Sequence, residues 1–439
     1  MTLAVSRLIR PLAALAALLV LSAATPKAYA AATVREVVSP GGITAWLVSD
    51  DTVPLISVDF AFRGGATQDP DNKPGVASML STLFDEGAGD LDSAAFQSRL
   101  EETAVRLSFD ADRDSFQGSM GTLSNRKDAA FNLLALALTK PRFDEEPIGR
   151  MRARLISNLR SGENDPETIA SRLFAQATFP NHPYGRPVEG TPETLATITR
   201  ADILAFYEAN IARDNLVIGV VGDITVEELG PLLDRAFGGL PAKAKLKPVP
   251  DVTPKAGLTL SGTLPNPQTI IRLGAPGIVR SDPDFIPAFV MNTILGGGTF
   301  SSRLYAEIRE KRGLAYSVWS AIAPYDRAGL ILAGTSTQAA KAGESIAIMK
   351  AEIARMAANG PTEKELADTK TYLTGNYALR FDSSGKISAQ LVSLQLDRLP
   401  IDYFQNRNAL VEAVTLADVK RVSKRLLDQP FTIVTVGPS

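Results

Sequence analysis

The ends of the two halves of this sequence repeat one plan. Thr199-Arg200-Ala201-Asp202 opens an amphipathic helical pattern that leads into a strand-like run, Leu216–Val221, and then Gly222. Thr415-Leu416-Ala417-Asp418 opens the same pattern, which leads into Phe431–Val436 and Gly437. The openings lie 216 residues apart and the glycines 215, a slip of one residue. Repetition over so long a period is read as duplication of a whole fold, so one sheet-and-helix order should be built twice. Between the copies, Leu240 to Gly257 (LPAKAKLKPVPDVTPKAG) holds four prolines and four lysines with no periodicity, which marks a linker at 241–257. The expected domains are therefore 31–240 and 258–439. Each begins with strand-like runs, Ile56–Phe62 and Thr269–Leu273, before helical segments take over. The predicted class is α+β, with two tandem halves, each a mainly antiparallel sheet covered by helices.

Length agrees with this plan, since 439 residues at about 150 per domain give two to four domains. The 46 Lys and Arg against 48 Asp and Glu leave no basic excess for a nucleic-acid partner. There is no cysteine and one histidine, His182. Disulfides, thiolate metal sites and cysteine nucleophiles are thereby excluded.

At the N-terminus, Arg7 and Arg10 precede an apolar stretch from Leu12 to Ala24, followed by Ala28-Tyr29-Ala30. This order is that of a secretory signal peptide over residues 1–30, with cleavage before Ala31. The apolar stretch is shorter than the roughly 20 residues a spanning helix needs. The expectation is an exported protein with no stable membrane span, in a bacterial periplasm.

Residues Gly75–Phe84 follow Pro74 and place Val76, Leu80, Leu83 and Phe84 at helical spacing, so this face should pack inward. Ser78, Ser81 and Thr82 share the opposite face at i, i+3 and i+4, the arrangement by which a helix offers two metal ligands and a base to one point. Here all three are neutral hydroxyls, poor zinc ligands and no general base near neutral pH.

The pattern from Gly64-Gly65-Ala66 through Pro74-Gly75-Val76-Ala77 resembles the N-terminal half of the pitrilysin/insulinase (inverzincin) zinc metallopeptidases, which carry H-x-x-E-H on this helix. The resemblance implies that Ser78 and Thr82 stand at the histidine positions and Ser81 at the glutamate. It places the third ligand at Asn158, upstream of Asn164-Asp165-Pro166-Glu167. His182-Pro183-Tyr184-Gly185-Arg186-Pro187, Gly190-Thr191 and Gly222-Asp223 extend it over the first half. His182 is then a structural turn residue, because one imidazole cannot replace two on another helix.

In the second half, Gly296 to Gly298 read as a tight turn before a helix from about Ser301 to Arg312, with Leu304 and Ile308 inward and Gly313 as its cap. No P-loop lysine accompanies the glycines. Tyr316 opens an alternating strand. Read alone, Arg309 is an exposed helix arginine and Tyr316 a half-buried strand tyrosine. The resemblance implies instead a pair, seven residues apart, that donates hydrogen bonds to a scissile carbonyl. It also implies that Leu107-Ser108-Phe109-Asp110 is an edge strand to which an extended peptide adds.

The resemblance implies a non-catalytic subunit with no cofactor of its own. It would pair with a zinc-bearing homologue and donate Arg309 and Tyr316 in trans to a peptide substrate. The rival reading is a peptide-binding or structural scaffold without a role in proteolysis. An independent serine hydrolase lacks support: no G-x-S-x-G occurs, and Ser383-Ser384-Gly385-Lys386 lacks the companion motifs of the penicillin-binding class.

Overall fold

The computed structural model describes residues 33–377, 379 and 381–438. The expected signal peptide lies outside them. No helix among the described residues is long and apolar enough to cross a membrane. The first sheet contains β1 (Arg35–Val38), β2 (Thr44–Ser49), β3 (Leu55–Arg63), β4 (Arg106–Ala111), β5 (Ser115–Leu123) and β6 (Leu216–Gly222), ordered β1-β2-β6-β3-β5-β4. The second contains β7 (Thr259–Thr263), β8 (Gln268–Pro276), β9 (Ala315–Pro324), β10 (Gly329–Gln338) and β11 (Thr432–Gly437), ordered β7-β11-β8-β10-β9.

The duplication extends to the register. β2 runs parallel to β6, with Ser49 opposite Gly222, and β7 runs parallel to β11, with Thr263 opposite Gly437. Phe60 of β3 faces Ile218 across an antiparallel pair, as Leu273 of β8 faces Ile433. Phe60 and Leu273 are thus counterparts. The remaining pairings are antiparallel, and β1 has no counterpart among the described residues.

Helices of the first half include α1 (Val76–Ser81), α2 (Lys127–Thr139), α3 (Glu145–Gly162), α4 (Pro166–Thr178), α5 (Arg200–Asn210) and α6 (Val226–Phe237). Those of the second include α7 (Ala342–Asn359), α8 (Ser384–Leu396) and α9 (Leu416–Leu427). The repeated Thr-x-x-Asp motifs are capping boxes. Thr199 and Asp202 open α5, and Thr415 and Asp418 open α9, each pair exchanging side-chain bonds with the other's backbone N–H. The residues between Pro241 and Gly257 contain no helix or strand, and they are fastened to the surface. The Lys245 N–H donates to the Ala209 carbonyl, that of Val252 to Arg327, and that of Lys255 to Thr178.

Strand alternation puts Ile56, Val58, Phe60 and Phe62 of β3 into the core beneath the first half's own helices. Residues facing the other way, Asp59 and Arg63, meet α8 of the second half. Ser388 donates a hydrogen bond to Asp59, and Arg63 donates to the carbonyls of Gln395 (2.5 Å) and Leu396 (2.8 Å) at the C-terminus of α8, where a cation is favoured. The second sheet mirrors this. Its core face carries Ile271, Leu273, Val318 and Ile331, and on its opposite face Ile270, Leu330, Val434 and Val436 pack with Ala170 and Phe174 of α4. Each half therefore lends one helix to the other's sheet. The linker divides the sequence, but the packing of the two halves is interleaved.

Candidate functional site

Backbone geometry forces the entry to α1. Gly75 has φ +102°, a left-handed conformation that glycine adopts without strain, and a Cβ there would lie 2.9 Å from the Glu189 carbonyl. The Asp69 carboxylate then caps the helix, accepting from Gly75 N (2.7 Å) and Ala77 N (2.9 Å). Burial pushes this carboxyl up to about 7, against the pull of the N–H donors and Arg186.

The helix is shorter than its periodicity predicts. It stops at Ser81, and residues 82–84 form a turn in which Leu83 and Phe84 stay fully buried. Ser78 and Ser81 are buried. The Ser81 hydroxyl donates to the Ser78 carbonyl at 2.8 Å, and that of Thr82 to the Met79 carbonyl at 2.9 Å. These hydroxyls satisfy the local backbone and do not converge on an outside atom. Asn158 lies exposed on α3, and no hydrogen bond among the described residues ties it to α1. The four positions do not fit zinc, and no group of three or more His, Asp or Glu among the described residues could hold a metal ion. Ser78 instead lines a cleft of about 460 Å³ with Asp110, Arg113, Arg172, Arg186 and Glu189.

Leu107 to Asp110 lie on β4, which pairs with β5 alone and forms one edge of the first sheet. Leu107 and Phe109 turn toward the core, where Phe109 stacks on Phe84 with ring centres 4.7 Å apart. Ser108 and Asp110 are exposed, and Ser108 Oγ shares a 2.8 Å hydrogen bond with Ser119 Oγ. The strand thus offers one unpaired main-chain edge.

His182 takes the structural place expected of it. Its Nδ1 accepts from Tyr184 N (3.2 Å), so the proton sits on Nε2, which donates to the Pro250 carbonyl (3.0 Å) and fastens the linker. Desolvation, above the effect of nearby Arg186, holds its pKa below the ordinary histidine value. Tyr184, buried beside it, joins the halves. Its hydroxyl donates to Asp114 and accepts from the backbone N–H of Arg327.

Arg309 and Tyr316 come together. Arg309 lies in a π-helical turn, Ala306–Glu310, and the ring centre of Tyr316 is 4.5 Å from its guanidinium carbon. The Tyr305 ring centre is 4.9 Å from the same carbon, and Arg309 donates a hydrogen bond to the Tyr305 hydroxyl. The neighbouring cations Lys311 and Arg312 are both held by Glu307. Among the described residues no carboxylate pairs with Arg309. A guanidinium fixed by aromatic faces but left without a counter-ion keeps donors free for an incoming carbonyl. Tyr316 is 82% exposed, not half-buried, and it stands near the start of β9, an edge strand of the second sheet.

Two details of this region differ from the sequence expectation. Gly296 and Gly297 continue a helical segment as a π turn, Thr293–Gly297. A Cβ on Gly296 would stand 2.6 Å from Ser320 N, so glycine serves a close approach to β9 and not a tight turn. The expected helix from Ser301 is broken into short pieces, although Leu304 and Ile308 are fully buried and Gly313 has φ +59° as a cap requires. Tyr305 escaped the sequence reading. Its spacing of four residues before Arg309 was the available signal.

Family comparison agrees with this geometry. Residues 45–192 match the model described as insulinase (peptidase family M16), and residues 197–373 match the peptidase M16 inactive domain. A non-peptidase homolog, YmxG of Helicobacter pylori, is 26% identical over 394 residues, covering 87% of this chain and 89% of that protein. A Streptomyces coelicolor protein named as an uncharacterized zinc protease is 25% identical over 423 residues, covering 92% and 90%. The crystal structure of a peptidase M16 inactive domain from Pseudomonas fluorescens superposes with a TM-score of 0.87 at 28% identity, covering 92% of this chain and 98% of that one.

Proposed function

The chain belongs to the insulinase family of peptidases, M16, as a member of the family's inactive kind, and from that premise we propose that it is the partner subunit of a zinc-bearing homologue. In this reading the homologue holds the metal and the attacking water. This chain closes the substrate chamber and supplies Arg309 and Tyr316. As water attacks, negative charge grows on the scissile carbonyl oxygen, and the guanidinium N–H and the phenol O–H donate to it. Donors already fixed in place cost no reorganisation at that moment. The extended peptide adds its main chain to the free edge of β4, and the subunit works in the periplasm after its leader is removed.

One observation carries the proposal. The helix at Val76–Ser81 carries no metal-binding side chain, while Arg309 is held beside two tyrosines with no counter-ion among the described residues. A bare scaffold has no use for an unpaired arginine beside an 82% exposed tyrosine.

The test mixes the purified chain with an H-x-x-E-H homologue from the same organism, zinc and an unstructured peptide. The mixture should cleave where neither chain alone does. Arg309→Ala should lower kcat/KM by about 10²–10³-fold while the complex still forms. Full cleavage by that variant removes the pair from the mechanism. Absence of any complex favours the scaffold.

A further inference from the structure

Phe300 is set apart by where it stands. The chain has 18 phenylalanines. Among the described residues the others are buried or half-buried, whereas Phe300 is 69% exposed. The 3-10 turn that carries it, Thr299–Ser301, is tied down on both sides. Ser301 Oγ donates to the Gly298 carbonyl just ahead of the turn (3.1 Å). Just behind it, Arg303 donates to both carboxylate oxygens of Glu365 (2.7 and 2.8 Å) and to the Gly360 carbonyl (3.0 Å). A fastened segment therefore presents the ring at the surface.

One exposed apolar side chain is ordinary on a protein surface. This one adjoins Arg309. The Phe300 ring meets that of Tyr305 edge to face, with centres 5.1 Å apart, and its centre lies 6.0 Å from the Arg309 guanidinium carbon. Three rings, Phe300, Tyr305 and Tyr316, thus approach one guanidinium. Tyr305 is buried and its hydroxyl is engaged by Arg309. Phe300 and Tyr316 stay open to whatever Arg309 meets.

We propose that Phe300 is a specificity-determining residue, whose open ring receives a large apolar side chain of the peptide beside the carbonyl that meets Arg309. The proposal rests on the partner-subunit reading above. Charge decides the class of side chain. An acidic one would pair with Arg309, whose neighbours Lys311 and Arg312 are held by Glu307 but which has no carboxylate of its own among the described residues. The donors needed by the carbonyl would then be taken. A basic one would be repelled by the guanidinium. A large apolar side chain leaves the donors free and gains by burial against the ring. It also excludes water from beside the guanidinium, which strengthens the hydrogen bonds that remain. A small or hydroxylated side chain gains less.

The probes are fluorescent, unstructured peptides of one polar sequence with Leu, Ser or Glu at a single central position. In the mixture with the H-x-x-E-H homologue and zinc, the Leu peptide should exceed the Ser peptide in kcat/KM by about tenfold, with the Glu peptide slowest. Phe300→Ala should bring the Leu-to-Ser ratio close to one, and Phe300→Leu should keep most of it. The ratio does not depend on how much of a variant is folded. No preference for Leu, a preference that survives Phe300→Ala, or an equal loss for all three peptides overturns the proposal. If the mixture cleaves none of them, the partner-subunit reading fails, and anisotropy of the same peptides on the isolated full chain decides the subsite by the same ratio. Absence of binding there overturns the subsite as well.

Discussion

Gly219 of β6 lies directly beneath the Ser388 carbonyl of α8, and a Cβ on Gly219 would stand 2.5 Å from that oxygen and 2.8 Å from Leu391 Cβ. The two residues come from different halves of the chain. Their contact lets α8 settle on the first sheet, where Ser388 reaches Asp59 and Gln395 donates to the Ile218 carbonyl at 2.9 Å. Gly274 of β8 plays the reciprocal part beneath Phe174 of α4. The interleaving of the halves rests on glycines in the strands that receive the exchanged helices.

Gly219→Ala should therefore destabilise the whole protein rather than a loop. The added methyl must push on backbone, and overpacking of this kind costs about 1–3 kcal/mol. Urea unfolding should show a lower midpoint for Gly219→Ala, whereas Gly343→Ala, with open space around its Cβ position, should stay near wild type. Equal midpoints would refute the packing role assigned to Gly219.

Tyr305→Phe removes the hydroxyl that accepts from Arg309 but keeps the ring beneath it. Arg309 is expected to remain stacked and to wander in orientation. In the mixed-subunit assay kcat should fall with little change in KM, by about tenfold, and the melting temperature should stay within about 2 °C of wild type, the shift that roughly 1 kcal/mol would exceed. A change confined to KM would contradict a positioning role.

Two buried groups give opposite pH dependences. His182 has a folded pKa below its unfolded value, so its stabilisation is complete above about 6.5 and is lost as pH falls from there toward the folded pKa. Asp69 has a folded pKa raised from 3.8 to about 7, so its contribution is present in acid and is lost as pH rises through about 7. Unfolding measured between pH 5 and 8 should show the stability difference between wild type and His182→Gln widening with pH. That between wild type and Asp69→Asn should narrow. The reverse trend in either pair would mean that burial does not govern the charge of that group.

Tyr184→Phe takes the hydroxyl donor from the Asp114 carboxylate, which keeps the Asp326 N–H, and leaves the Arg327 N–H without its acceptor, at the seam between the halves. Losing hydrogen bonds at this half-buried seam costs about 1 kcal/mol. A single unfolding transition at lower denaturant is expected, and an unchanged midpoint would place this network outside the stabilising seam.

Metal removal should do nothing to the isolated chain. Dialysis against a chelator is predicted to leave its unfolding midpoint unchanged, and added zinc should not raise it, because Ser81 and Thr82 spend their hydroxyls on backbone carbonyls. A chelator-sensitive midpoint would show ligands elsewhere in the chain.

Local chemistry made the duplication, the linker, the strands at Ile56–Phe62 and Thr269–Leu273, and the absence of metal ligands at Ser78, Ser81 and Thr82 legible from the sequence. Capping boxes, alternation and side-chain identity act over a few residues, so they survive in the linear text. The pairing of Arg309 with Tyr316 was implied only by family likeness, and Tyr305 completed it in the fold. The exchange of α4 and α8 and the stop of α1 at Ser81 were decided by tertiary structure alone. Each depends on contacts between residues far apart in the chain, such as Gly219 with Ser388 and Phe60 with Phe237, and no local pattern records which distant surface will arrive to cover a given face.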